Sequence, residues 1–273
     1  MTEIESFEAL LGDSASLPLL AAAAQVPRYA DADCDPRAVL DQVQAWTARL
    51  QARIAPDASP IARLRLLNHF FFGELAFAGD RDRYDSVDNS YLHRVIERRR
   101  GIPITLSLLY IEIGRAAGLR LHGVSFPGHF LVRLTLHDGA AMIDVFGGGV
   151  ALSSEALLER LRAALPGDPE LAPYLRAAGD REILARLLRN LKAIHWQAGQ
   201  WQDALEVCHR LVAVLPESAQ ERLDRAQVYE RLECPRAAAA DLAASLALQP
   251  ALPEAAEVRR RFAELQRAAA RLN

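Results

Sequence analysis

A histidine in PGHFLVRL (residues 127–134) and an aspartate in MIDVF (residues 142–146) follow the long apolar stretch GIPITLSLLYIEIGRAAGL (residues 101–119). An imidazole titrates near neutrality and can take a proton, and a carboxylate bonded to one ring nitrogen fixes the ring's tautomer and direction. A nucleophile at the start of a helix gains from the positive end of the helix dipole, which lowers a thiol's pKa. Helix, His129 and Asp144 together therefore have the layout of nucleophile, base and orienter. At the helix start stands Gly101-Ile102-Pro103, and proline suits a first helical turn while offering neither a nucleophilic atom nor an N–H. The nearest hydroxyls are Thr105 and Ser107. An alcohol needs a stronger base than a thiol, and each hydroxyl has a structural alternative in bonding a carbonyl one turn back.

The surrounding pattern supplies the elements. LHGVSF, HFLVRLTL and AAMIDVF are short, β-branched or aromatic, and separated by PG and HDG, so they read as a small antiparallel sheet. A tight turn at Asp138-Gly139 puts His129 and Asp144 on one face but sets Asp144 opposite Arg133. Helices are predicted over 35–54, with Asp35 as N-cap and Pro36 first in the helix, from Ser59-Pro60 onwards, and over 103–117. NSYLHRVIERRRG reads as a short helix closed by Gly101, and residues 80–90 as a polar surface loop. The arginines of ERRR with Arg94 read as a solvated face, and NHFFFGELAF as core. Glu112, inside the apolar helix, would need a partner if buried, and Arg115 is one turn on.

Beyond LPGDPELAPYL (165–175) the chain repeats. Ala204 and Ala238 are 34 residues apart, as are Pro216 and Pro250, and each alanine precedes its proline by 12. His195 matches Tyr229 in position, and Leu187 matches Glu221. A period of 34, with a small residue where two helices meet and a proline after the second, is the tetratricopeptide pattern. Residues 253–272 suit a capping helix.

The residues 101–119, 127–134 and 143–146 also resemble the core of the transglutaminase-like superfamily. With the repeats, the chain is similar to its bacterial members of the Sir-B type that carry C-terminal tetratricopeptide repeats. The resemblance, which is closest over 84–150, implies a helix-borne cysteine after Gly-x, then a strand-borne histidine and aspartate. With Arg115 and Gly118 as anchors, His129 and Asp144 fall on the last two, and Pro103 holds the cysteine's place. The implied triad is degenerate.

Composition narrows the remaining options. A net charge of −3 gives no overall field for nucleic acid or an anionic membrane. The opening MTEIESFEALLGDSASLPLL is acidic and has no basic n-region, so no secretory signal is expected. Cys34, Cys208 and Cys234 form no metal-type spacing and suit a reducing cytoplasm. The carboxylates around Cys34 disfavour its thiolate, and packing accounts for the other two. No phosphate loop is present, and no metal or cofactor is expected. The expected architecture is α+β. A mostly helical transglutaminase-like domain with a small antiparallel sheet covers 1–177, its N-terminal helical region over 1–80 and its core over 84–150. All-α tetratricopeptide repeats follow over 178–273. The expected role is a non-catalytic scaffold that binds a protein or peptide through its repeats. The alternative is an amide hydrolase or acyl-transfer enzyme using Thr105 or Ser107 with His129 and Asp144.

Overall fold

The structure, a computed structural model, describes residues 6–12, 17–251 and 255–270. Two expected segments extend outside the described residues: the acidic opening at 1–5 and 13–16, and the capping helix at 253, 254, 271 and 272. The chain forms two compact units, Met1–Ile183 and Leu184–Asn273.

In the first unit, α1 (Phe7–Leu10) and α2 (Leu19–Gln25) precede α3 (Pro36–Gln51). The start of α3 is the expected one: Asp35 accepts the Arg37 N–H at 2.9 Å and Pro36 opens the helix. Its stripe of Val39, Val43, Trp46 and Leu50 is buried. Helix α4 (Pro60–Asn68) begins with Ser59 accepting the Ala62 N–H at 3.2 Å and widens into a π-turn over His69–Glu74, which delivers Phe70 and Phe71 to the core.

Two residues of β1 (Ala78–Gly79) pair in parallel with two of β2 (Arg100–Gly101). Between them lies α5 (Leu92–Arg98), and here the structure corrects two expectations. The helix closes at Arg99, in the left-handed region at φ 57°, and Gly101 goes to the strand. The Arg99 guanidinium lies 4.5 Å from the Trp46 ring centre and 5.1 Å from that of Phe77, a cation–π contact that helps hold a conformation arginine rarely adopts. The basic run is also no solvated face, because Arg98 binds Asp80 at 2.6 Å and Arg94 binds Asp31 at 3.1 Å. The 80–90 loop is exposed over 81–85, as expected of a surface loop, and is anchored at its ends, where Asp80, Asn89 and Ser90 are buried.

Helix α6 (Pro103–Ala116) is buried without interruption from Pro103 to Ile111. Glu112 is exposed, so it needs no buried partner. The sheet orders β3 (Leu121–Val124), β4 (Leu131–Leu136), β5 (Gly139–Asp144) and β6 (Val150–Leu152) side by side, all antiparallel. The β4–β5 loop is His137-Asp138, one residue earlier than the sequence suggested, with Gly139 already opposite Leu136. Val132 therefore faces Ile143, and Met142, not Asp144, sits opposite Arg133. One face of the sheet meets α6, so closely at Gly114 that a Cβ there would come within 2.4 Å of Leu121 Cδ1. The other face, with Val124, Leu131 and Met142, packs on Leu157 and Leu161 of α7 (Ser154–Ala164).

The second unit begins within α8 (Asp180–Gln197), which with α9 (Trp201–Val214), α10 (Ala219–Arg231) and α11 (Pro235–Leu248) makes two helix pairs, followed by α12 (Ala255–Ala270). Ala204 and Ala238 are fully buried, as the repeat requires, and Pro216 and Pro250 follow the second helix of each pair. Leu187 and Glu221, matched in position, are both buried. The glutamate is tolerated because Arg189 binds it at 2.7 Å and Lys192 at 2.6 Å. Lys192 also binds Asp224, and these two carboxylates outweigh burial and hold its pKa above the usual lysine value.

The turn inside each repeat needs a left-handed residue. Gly199 supplies it at φ 67° in the first copy, and Glu233, 34 positions on, at φ 56° in the second. A side chain costs about 1–2 kcal/mol there, partly offset by glycine's greater freedom when unfolded. Glu233→Gly is expected to stabilise the repeats by about 0.5–1 kcal/mol, read as a rise in the urea midpoint of the full chain.

Candidate functional site

His129 and Asp144 meet. The turn after β3 presents His129, and Asp144 ends β5 on the sheet face that carries Met142 and α7. His129 Nε2 lies 2.9 Å from Asp144 Oδ1. An ionised carboxylate only accepts, so Nε2 carries the hydrogen in this bond. Asp144 also accepts the Gly147 N–H at 2.9 Å and pairs through Oδ2 with Arg160 of α7 at 3.0 Å. Burial alone would raise its pKa, but the His129 hydrogen bond and charge, the Gly147 N–H and Arg160 together hold it down at about 2. Sequence reasoning missed Arg160, Gly147 and Phe146. Arg160 projects from a helix, far from both partners in the chain, and no local pattern marks it.

His129 lines a cleft of about 400 Å³ with Pro127, Gly128, Arg160, Ala163 and Ala164. The walls are small, and the polar groups facing in are an imidazole and a guanidinium. Phe146 stands edge-on to His129, with ring centres 6.1 Å apart, and its ring also fills the space over Gly79, where a Cβ would come within 2.6 Å. Gly79 is the strand neighbour of Gly101, two residues before Pro103.

The start of α6 is closed. Pro103 is its buried first residue. Thr105 is fully buried and its hydroxyl is committed: it accepts the Ile102 N–H at 3.2 Å and faces the carbonyls of Asn89 at 2.8 Å and Ile102 at 3.1 Å. Asn89 in turn receives Arg98 on its side-chain oxygen at 3.2 Å, which ties the 80–90 loop to the helix start. Ser107 is fully buried, and its hydroxyl has no hydrogen-bond partner, so the expected bond one turn back is absent. Neither hydroxyl is hydrogen-bonded to His129.

A different thiol does line up with a histidine and an aspartate. Cys34 Sγ lies 3.6 Å from His93 Nδ1, and His93 Nε2 lies 3.0 Å from Asp31 Oδ2. Burial, with the Asp31 charge second, pushes the Cys34 thiol up to about 11, so it stays protonated at neutral pH. Among the described residues, no group of His, Cys, Asp and Glu side chains is arranged to hold a metal ion, and no helix is long and apolar enough to cross a membrane.

A buried helix, an antiparallel sheet with a His–Asp pair and a following helical repeat define the class. Residues 37–189 match the transglutaminase-like superfamily and residues 191–263 match the tetratricopeptide repeat. The chain belongs to the transglutaminase-like superfamily. It is similar to a UPF0162 protein of Xylella fastidiosa, with 35% identity over 257 residues, 93% of this chain and 92% of that one. Protein SirB1 of Salmonella typhimurium is 28% identical over 205 residues, covering 75% of this chain and 76% of that one. Human F-box only protein 21 is 32% identical over 180 residues, 62% of this chain and 28% of that one. Among solved structures, menin covers 89% of this chain at 11% identity with a TM-score of 0.37, too slight a likeness to argue from.

Two outcomes follow from the geometry. Asp144 falls from an ordinary 3.8 to about 2 in the fold, so its stabilising contribution is present above pH 4 and is lost as pH drops through 2. That shift corresponds to about 2 kcal/mol. Asp144→Asn is expected to lose about that much at neutral pH and to flatten this acid limb, as read by urea unfolding at a series of pH values. Thr105→Val leaves the Ile102 N–H unpaired and the Asn89 carbonyl without its donor, and is expected to cost about 1–3 kcal/mol. It should also speed amide exchange across 80–90, whereas Thr105→Ser should not.

Proposed function

We propose that this chain is a non-catalytic member of its superfamily, a cytoplasmic scaffold with a transglutaminase-like domain over 1–177 and tetratricopeptide repeats over 178–273 that bind a protein or peptide. One observation carries the reading: Pro103, which the family resemblance puts at the nucleophile's seat, is buried, and both neighbouring hydroxyls are enclosed in the core. A base with its orienter can move a proton, but without a nucleophile nothing forms the covalent intermediate. The His129 cleft, open and small-walled, suits holding a peptide segment beside Arg160. Stacked repeats offer an extended surface for a partner, and on this chain α8 and α10 carry the charged cluster of Arg189, Lys192, Glu221 and Asp224.

The full chain is expected to hydrolyse an activated ester no faster than its His129→Ala variant, and to show no added mass after exposure to a serine-directed fluorophosphonate. An adduct on Thr105, Ser107 or any side chain beside His129 would restore the enzyme reading. Arg189→Ala with Ala193→Glu, both at accessible positions of α8, is expected to lose the proteins captured by the natural chain. Unchanged capture would move recognition away from this face of the repeats.

A further inference from the structure

The transglutaminase-like unit has a second concavity at the other end of α7, away from His129. It measures about 480 Å³ and lies over the row that crosses the sheet as Arg133, Met142 and Leu152. Leu157 and Leu175 continue its apolar floor, and Ser154, the first residue of α7, stands in its wall.

The charge here is unbalanced. Two arginines line the cavity and, among the described residues, no acidic side chain does. Arg176 is already held by Glu182, at 2.8 and 3.1 Å. Arg133 is half-buried, and its Nε is shielded from solvent without a hydrogen-bond partner. A guanidinium N–H shut away from water with no acceptor, beside apolar side chains, is costly unless an anion joins it. The field is positive beyond Arg133 itself. The neighbouring His122, its cross-strand partner, has its pKa pushed down by burial first and then by Arg115, Arg133 and Arg120. The positive end of α7 adds to the same field at Ser154.

A bare inorganic anion would answer the charge and leave the floor of Met142, Leu152 and Leu157 unfilled. A neutral apolar molecule would do the reverse. We propose that this cavity binds a small amphiphilic carboxylate, with its carboxylate on Arg133 and Ser154 and its alkyl chain over Met142, Leu152 and Leu157. The volume falls in the range typical of small-molecule sites. This site is separate from the His129 cleft and does not depend on whether the chain is catalytic.

The test is calorimetric titration of the full chain with sodium octanoate, with acetate and 1-octanol as the charge-only and apolar-only arms. Octanoate is expected to saturate one site, with acetate and octanol at least tenfold weaker. Arg133→Met keeps the bulk and removes the charge, and is expected to weaken octanoate at least tenfold while leaving octanol within twofold. Ala140→Trp fills the cavity from an exposed position on β5, so it tests occupancy without touching the core, and it should abolish octanoate binding. The proposal is overturned if octanoate does not bind, if octanol binds as tightly as octanoate, or if either variant binds octanoate within twofold of the natural chain.

Discussion

A helix with no polar side needs cover on every side. From Pro103 to Ile111 helix α6 has no exposed residue, and the first unit is arranged to meet that demand. Helix α3 lies along it, and β3 and β4 pack against it. The parallel β1–β2 pair and the 80–90 loop close its start through Thr105. On the α7 side of the sheet the buried Asp144 gathers His129, Gly147 and Arg160. Phe146 touches both regions, with His129 at its edge and Gly79 beneath it.

Sequence signals are legible where local forces decide. The starts of α3 and α4 follow from a side-chain cap followed by proline, because both act within one turn. The close of α5 does not, because Arg99 adopts its strained backbone against rings at positions 46 and 77. The β4–β5 turn lies one residue from where the Asp138-Gly139 pair suggests, and that shift moves Asp144 two positions along its neighbour. His129 reaches it all the same, from the loop before β4. The Cys34–His93–Asp31 line is out of reach of the sequence, since its members sit 59 and 62 residues apart and are joined only by the packing of distant segments. The two-residue strands of the parallel pair are too short to leave a periodic pattern.

In the repeats the backbone period survives a change of chemistry. Leu187 and Glu221 occupy matched, buried positions, and Gly199 and Glu233 matched, left-handed ones. A buried glutamate is costly alone, so its partners had to come with it: Arg189 and Lys192 on α8, with Asp224 beside them. Such a cluster fixes how α8 and α10 lie against each other more narrowly than a leucine contact would, because ion pairs are sensitive to direction.

Lys192 is the chain's one lysine, and its side chain is 12% exposed inside that cluster. The surface positive charge is therefore carried by guanidinium groups, which do not acylate under mild conditions. Reagents that map protein surfaces through ε-amines will find almost nothing to modify here. Acetylation or isopeptide attachment at this position would have to open the ion cluster first, so either would loosen the repeats rather than decorate them.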